Sequence, residues 1–203
     1  MITWSRLLGG GVRDPLVGGH LLIGAAFGVG FAAWHFVGRL HHERSGVLDT
    51  GLRLDSMLDA RHMTLVLDRA LVDSILVSLI LLLFFFLLRT MFRRLWLAAA
   101  AFIVVFTLAQ FGSIGLSLFD WVTVPLLAAL LVFILTRFGV LALMVALSVN
   151  ATLTSFPLTT DFSTWYAASP LFAIASVLAL TAYALYTALA GRPLFKAGFL
   201  DSD

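Results

Sequence analysis

Long apolar runs separated by short polar clusters make up most of the chain. A membrane helix needs about 20 mostly apolar residues to cross a hydrocarbon core about 30 Å thick. On this criterion the pattern predicts six membrane spans, at residues 17–38, 71–88, 95–116, 122–136, 138–153 and 170–190. The predicted fold class is therefore an all-α integral membrane protein, with a single polytopic transmembrane domain over residues 1–203.

The apolar stretch 122–153 has two interpretations. It contains one charged residue, Arg137, which is followed by Phe138 and Gly139. A turn at these residues produces two short spans. An unbroken helix instead produces one long tilted span with an interfacial piece, and five spans in total.

The distribution of cations favours six spans. Cytoplasmic loops of membrane proteins carry an excess of Lys and Arg. With six spans, the only charged residues in the short loops on one side are Asp120 and Asp161, and Trp121 is an interfacial anchor there. The other side then carries Arg6, Arg13, Arg89, Arg93, Arg94, Arg137, Arg192 and Lys196. We therefore expect a multi-pass protein of the bacterial inner membrane, with both termini in the cytoplasm and Asp120 in water.

The segment 47–70 differs from the spans because it is amphipathic. One face of the predicted helix carries Leu54, Met57, Leu58 and Leu65, and this face is interrupted by Asp55, Asp59 and Arg61. Such a helix lies in the membrane interface. We expect an external amphipathic segment that runs into the second span, because nothing between Met63 and Leu71 breaks a helix.

Composition supports the membrane class and excludes several functions. Apolar residues make up 61% of the chain and charged residues 12%, whereas a soluble domain has about 25% charged residues. The absence of cysteine excludes disulfides, thiolate metal sites and cysteine nucleophiles. The sequence has no basic patch interleaved with exposed aromatic residues, so nothing in it indicates nucleic acid as a partner.

Catalytic motifs are also missing from the sequence. There is no Ser-His pair, no metal-binding His-Glu-x-x-His, and no acid pair in the middle of a span. We therefore expect a protein that is not an enzyme and has no metal site.

Two histidines on the first span are candidate ligands. His20 and His35 lie 15 residues apart, which is about 22 Å along a helix. Histidine within a span is a functional candidate, and His35 has small neighbours (Ala32, Ala33 and Gly38) that would let a flat macrocycle approach. His35 is therefore a candidate pigment or haem ligand, and His20 is the weaker candidate. The alternative is that both histidines are hydrogen-bonded near the headgroups.

Small residues on the same span predict close helix packing. Gly24 and Gly28 form a small-xxx-small motif, and Gly38 extends it. Small residues let helices approach closely in lipid, where apolar surface provides no drive for association. The packing partner is either another helix of this chain or another subunit. Asn150, near the end of the fifth span, is the most notable single polar residue, and an interhelical hydrogen bond would explain it.

Four strings along the chain resemble a known membrane module. They are Val12–Gly18, Arg93–Ala100, Phe156–Tyr166 and Tyr186–Phe195. In this order they resemble the C-terminal transmembrane module that follows the kinase domain in serine/threonine protein kinases of acidobacteria and related phyla. The resemblance implies the membrane fold and a cytoplasmic N-terminus. It does not imply phosphoryl transfer, because the sequence has no kinase motifs, and Gly19-His20 stands where that family has Arg-Asp.

These features favour a packing role over a chemical one. We expect a non-catalytic accessory or scaffold subunit of a larger bacterial membrane complex, with lipids and other transmembrane subunits as partners. The 18 Phe, 5 Trp and 3 Tyr side chains would suit contacts with bacteriochlorophyll, carotenoid or quinone, so a photosynthetic or respiratory assembly is compatible. The alternatives are a membrane sensor or signalling module related to the kinase-fused domains, and a small transporter.

Overall fold

Six α-helices form the part of the chain that the structure describes. The structure is a computed structural model, and it describes residues 15–44, 59–111, 118–156 and 168–189. The helices are α1 (Pro15–Arg44), α2 (Ala60–Phe92), α3 (Leu95–Phe111), α4 (Leu118–Arg137), α5 (Val140–Ser155) and α6 (Ala168–Leu189). The predicted all-helical architecture is confirmed over these residues.

Four of the six helices are long and apolar enough to cross a membrane. They are α1, α2, α4 and α6. The other two, α3 and α5, have 17 and 16 residues and rise about 25 Å each, less than the roughly 30 Å of a hydrocarbon core. The helices therefore indicate a membrane-embedded protein, but only four of the six predicted spans meet the criterion of length and hydropathy.

Several helix bounds differ from the predicted spans. Helix α1 continues through the polar cluster after residue 38 as far as Arg44, and α2 begins at Ala60, well before residue 71. The later half of the predicted amphipathic segment is thus the start of α2, while residues 47–58 lie outside the described residues. Helix α3 ends at Phe111, and residues 112–116 also lie outside them. Helices continue past the apolar core because backbone hydrogen bonding does not require apolar side chains.

The chain turns between α4 and α5 at the predicted place. The N–H groups of Phe138 and Gly139 both donate to the Ile134 carbonyl, at 2.9 and 3.0 Å. Gly139 has φ +89° and ψ −179°, a backbone conformation that essentially only glycine adopts. The turn at Gly139 therefore separates α4 from α5. The alternative interpretation, one unbroken helix over 122–153, is wrong.

Helix α5 lies at the centre of the bundle. It contacts α1, α2, α4 and α6, and ten of its 16 residues are buried. Gly24 and Gly28 of α1 face Ala142 and Ala146 of α5, so these two helices are parallel. Because other helices surround α5, its ends do not have to match the thickness of the lipid.

The two ends of the bundle differ in charge. One end, here called the basic end, includes the start of α1, the end of α2 at Arg89 and the end of α4 at Arg137. The opposite end includes Trp34 of α1 next to Phe119 of α4. Gly18 packs on Ala188, which places the end of α6 at the basic end as well.

One prediction about a charged residue is wrong. Asp120, expected in water, is only 6% exposed. It lies in the first turn of α4, where the positive end of the helix dipole stabilises a carboxylate.

Candidate functional site

Helix α1 carries all five predicted site residues, and two of its glycines, Gly24 and Gly28, pack directly on α5. A Cβ atom on Gly24 would lie 2.6 Å from the Ala142 carbonyl oxygen, and a Cβ on Gly28 would lie 2.6 Å from the Ala146 carbonyl oxygen. Both distances are shorter than any real Cβ contact. Gly24 and Gly28 therefore allow α1 to lie directly on the backbone of α5, within this chain.

Gly18 makes a similarly close contact with a different helix, although it is not among the predicted site residues. A Cβ on Gly18 would collide with the backbone of Ala188 and the hydroxyl of Thr187. The available sequence signal was the pair of further glycines, Gly18 and Gly19, just before the Gly24–Gly28 motif. Gly18 thus allows α1 to pack against α6, nearer the basic end than the contact with α5.

Gly38 lies on a different face, towards α4. A Cβ there would be 3.6 Å from Cε1 of Phe119, an ordinary contact. The Phe119 ring stacks on Trp34, with centroids 6.2 Å apart, and on His41, with centroids 4.7 Å apart. Gly38 lies between these two α1 residues and leaves room for the ring of Phe119. The three predicted packing glycines therefore do not form one surface.

His35 lies next to Asn150 of α5. The His35 imidazole faces the Asn150 side chain, and the carboxamide oxygen Oδ1 of Asn150 is buried without a hydrogen-bond partner among the described residues. A half-turn of the amide exchanges its oxygen and nitrogen, so the imidazole can meet a donor or an acceptor there. The structure thus brings together two residues that the sequence singled out separately.

The position of His35 is compatible with an axial ligand. His35 is exposed at the surface of the bundle. The Asn150 side chain can hydrogen-bond to one of its ring nitrogens. Ligating histidines in proteins use a hydrogen bond on one nitrogen to orient the other. The described residues contain no group of three or more side chains that could together hold a metal ion.

His20 lies far from His35, at the basic end of the bundle. Its ring meets Phe138 edge to face, with centroids 6.4 Å apart and an interplanar angle of 79°. It lines a cavity that also contains Arg89 and Arg137. The two histidines therefore do not form one site.

An apolar groove runs between α1 and α4. Its volume is about 350 Å³. A Cβ added to Gly30 in this groove would meet nothing within 4 Å. The lining residues are Ala26, Phe27, Gly30, Phe31, Trp34, Leu126, Leu127 and Leu130. The groove is therefore an open aromatic surface with no polar side chain in its walls.

Most buried hydroxyl groups are satisfied within their own helix. Ser78 donates to the Ser74 carbonyl at 2.6 Å, and Thr152 donates to the Ser148 carbonyl at 2.8 Å. The same bond to a carbonyl four residues earlier is made by Ser74, Thr107, Ser148 and Thr187. These side chains use their single hydrogen atom within their own helix.

Comparison with known proteins finds no matching family model, no matching curated protein and no matching solved structure. The resemblance to kinase-associated membrane modules stays a prediction.

Proposed function

We propose that this chain is a non-catalytic accessory subunit that packs against a transmembrane partner in a larger bacterial membrane complex. The observation that supports the proposal is the open groove between α1 and α4. It is apolar and aromatic, and its floor at Gly30 is uncovered. A second transmembrane helix or a flat, apolar pigment fits such a surface, because close approach to backbone is what drives association in lipid.

The proposal includes six spans, with α3 and α5 as short crossings. All six helices run between the basic end and the opposite end, and α5 is covered by other helices. In the described residues Arg89, Arg93, Arg94 and Arg137 lie at the basic end. The positive-inside rule then places this end in the cytoplasm. Tags at either terminus should be protected from proteases added outside the cell, and an external C-terminal tag would refute the six-span topology.

A substitution that fills the groove tests the packing role. Gly30→Leu places an apolar side chain where a partner would lie. Gly19→Leu is the matched control, because Gly19 is also on α1, also has nothing within 4 Å of an added Cβ, and does not line the groove. Both variants and the wild type would be extracted with a polymer that keeps native lipid, and their complexes compared by mass and composition.

We expect the wild type and Gly19→Leu to co-purify with the same transmembrane subunits, and Gly30→Leu to lose them. If wild-type protein runs alone and colourless under these conditions, the accessory role is wrong. A soluble cytoplasmic signalling partner would favour the sensor alternative. Solute uptake by vesicles containing the protein alone would favour the transporter.

The same material tests His35 as a pigment or haem ligand. His35→Leu should remove an absorption band that His20→Leu leaves intact, since His20 lies about 22 Å away along α1. Asn150→Leu should shift the band rather than remove it, because it changes only the hydrogen bond to the ligand. An absorption spectrum identical in all four proteins would refute ligation by His35.

A further inference from the structure

A cavity of about 560 Å³ opens at the basic end of the bundle. Its walls come from five helices, α1 to α5, around the turn that contains Gly139. Two of its residues, Arg89 and Arg137, are cationic, whereas eight of the thirteen lining residues have large apolar side chains. The cavity therefore combines a charged rim with an apolar interior.

The charge of the rim is not neutralised by the described residues. Neither guanidinium makes a salt bridge or a hydrogen bond with another described residue. Every acidic residue in the described part of the chain is far away, at or near the opposite end: Glu43, Asp59, Asp68, Asp73 and Asp120. Asp73, on the same helix as Arg89, is 16 residues away, about 24 Å along the axis. Counting the described residues alone, the positive potential at the basic end is therefore not balanced by nearby carboxylates, and an apolar wall concentrates such a potential.

The start of α5 adds to this potential. Gly139 provides no side-chain cap for the helix, and the first N–H groups of a helix have no partner within it. These groups belong to the residues that follow Gly139, and Val140 itself lines the cavity. An anion at the rim would meet two guanidinium groups and the positive end of a helix dipole.

The depth and exposure of the walls indicate a lipid rather than a soluble anion. Leu82 lies seven residues before Arg89 on α2, so the apolar wall continues about 10 Å from the charged rim towards the middle of the bundle. Leu16, Phe86 and Leu95 at the mouth are all more than half exposed, so the cavity is continuous with the lipid-facing surface. A soluble phosphate compound would have no use for this wall, whereas an acyl chain would cover it.

We propose that this cavity binds an anionic phospholipid, with the phosphate held by Arg89 and Arg137 and the start of an acyl chain lying along α2. Basic pockets between transmembrane helices bind lipid headgroups in this way. The site does not depend on the accessory role proposed above, because it uses a different face of the bundle.

Lipid binding by purified protein tests the proposal. The protein in mild detergent would be titrated with phosphatidylglycerol or phosphatidylcholine of the same acyl chains, and bound lipid counted by native mass spectrometry. The test variant is the double substitution Arg89→Gln with Arg137→Gln. The control is Arg93→Gln with Arg94→Gln, which removes the same charge from the same end but from residues that do not line the cavity. Thermal unfolding would verify that both variants are folded.

We expect wild type and control to prefer phosphatidylglycerol by about ten-fold or more, and the test variant to lose this preference. Equal loss in both double variants would mean a diffuse surface effect and would overturn the site. No preference in the wild type would also overturn it. Displacement of phosphatidylglycerol by inorganic phosphate at similar concentration would show a soluble-anion site and would refute the role of the apolar wall.

Discussion

Substitution of Gly28 by alanine should loosen the contact between α1 and α5. The added Cβ would lie 2.6 Å from the Ala146 carbonyl oxygen and 2.6 Å from the Val149 Cβ. Ordinary contact begins near 3.4 Å, so the two helices must separate locally by about 0.8 Å. The obstructing oxygen belongs to the backbone, so it cannot turn away as a flexible side chain would.

The size of the effect follows from three contributions. Overpacking of this kind costs about 1–3 kcal/mol. A gap of 0.5–1 Å elsewhere along the interface loses about a quarter to a half of the dispersion attraction there. Alanine in place of glycine within a helix returns about 0.5–1 kcal/mol. We expect Gly28→Ala to destabilise the bundle by about 1–2 kcal/mol net, and Gly30→Ala, which meets nothing, to stabilise it by about 0.5–1 kcal/mol.

Equilibrium unfolding in mixtures of a mild detergent and dodecyl sulfate, followed by far-ultraviolet circular dichroism, measures the difference directly. The double variant Gly24→Ala with Gly28→Ala should cost less than the sum of the two single variants, because one separation of α1 from α5 relieves both contacts. If Gly28→Ala and Gly30→Ala unfold at the same dodecyl sulfate fraction, the inferred close approach of α1 to α5 is wrong.

Three further substitutions and one control variant can be measured in the same assay. Gly139→Ala should destabilise by about 1–3 kcal/mol, because φ +89° with an extended ψ is strained for alanine although nothing obstructs its Cβ; a neutral result would mean that the turn has another backbone conformation. Arg93→Gly should stabilise by up to about 1 kcal/mol, because Arg93 has φ +53° in the turn between α2 and α3; destabilisation would refute this. Phe102→Ala should cost about 3–5 kcal/mol, because the ring is 1% exposed and packs on three other phenylalanine rings. The control is Leu108→Ala on the same helix, which removes a side chain that is 62% exposed and should change stability by less than about 1 kcal/mol. Equal losses in the two α3 variants would contradict the inferred packing of Phe102.

The turn at Phe138 and Gly139 shows what local sequence signals can predict. A cation followed by glycine in the middle of an apolar stretch is a signal that needs no knowledge of the neighbouring helices, and the turn lies where it was predicted. Helix ends were less predictable. Helix α1 continues through a polar cluster to Arg44, since hydropathy marks where a lipid environment ends and not where backbone hydrogen bonding ends.

The candidate site shows the opposite case. His35 and Asn150 were both singled out from the sequence, but nothing in the order of residues pairs them. Asp120 was expected in water because it is charged, yet the start of α4 buries it. Gly24 and Gly38 belong to one glycine pattern, but they face α5 and α4 respectively. Each of these outcomes depends on which helix is the neighbour.

The sequence by itself determined the helical membrane class and the turn before α5, because hydropathy and glycine chemistry act locally along the chain. The central position of α5, the use of Gly24 and Gly28 within the chain, and the gathering of Arg89 and Arg137 around one cavity were decided only by the tertiary structure. The physical reason is that apolar helices are equally compatible with lipid on every side. Only the fit between particular surfaces selects which helices touch, and the cavities and charged rims of this protein arise where those surfaces meet.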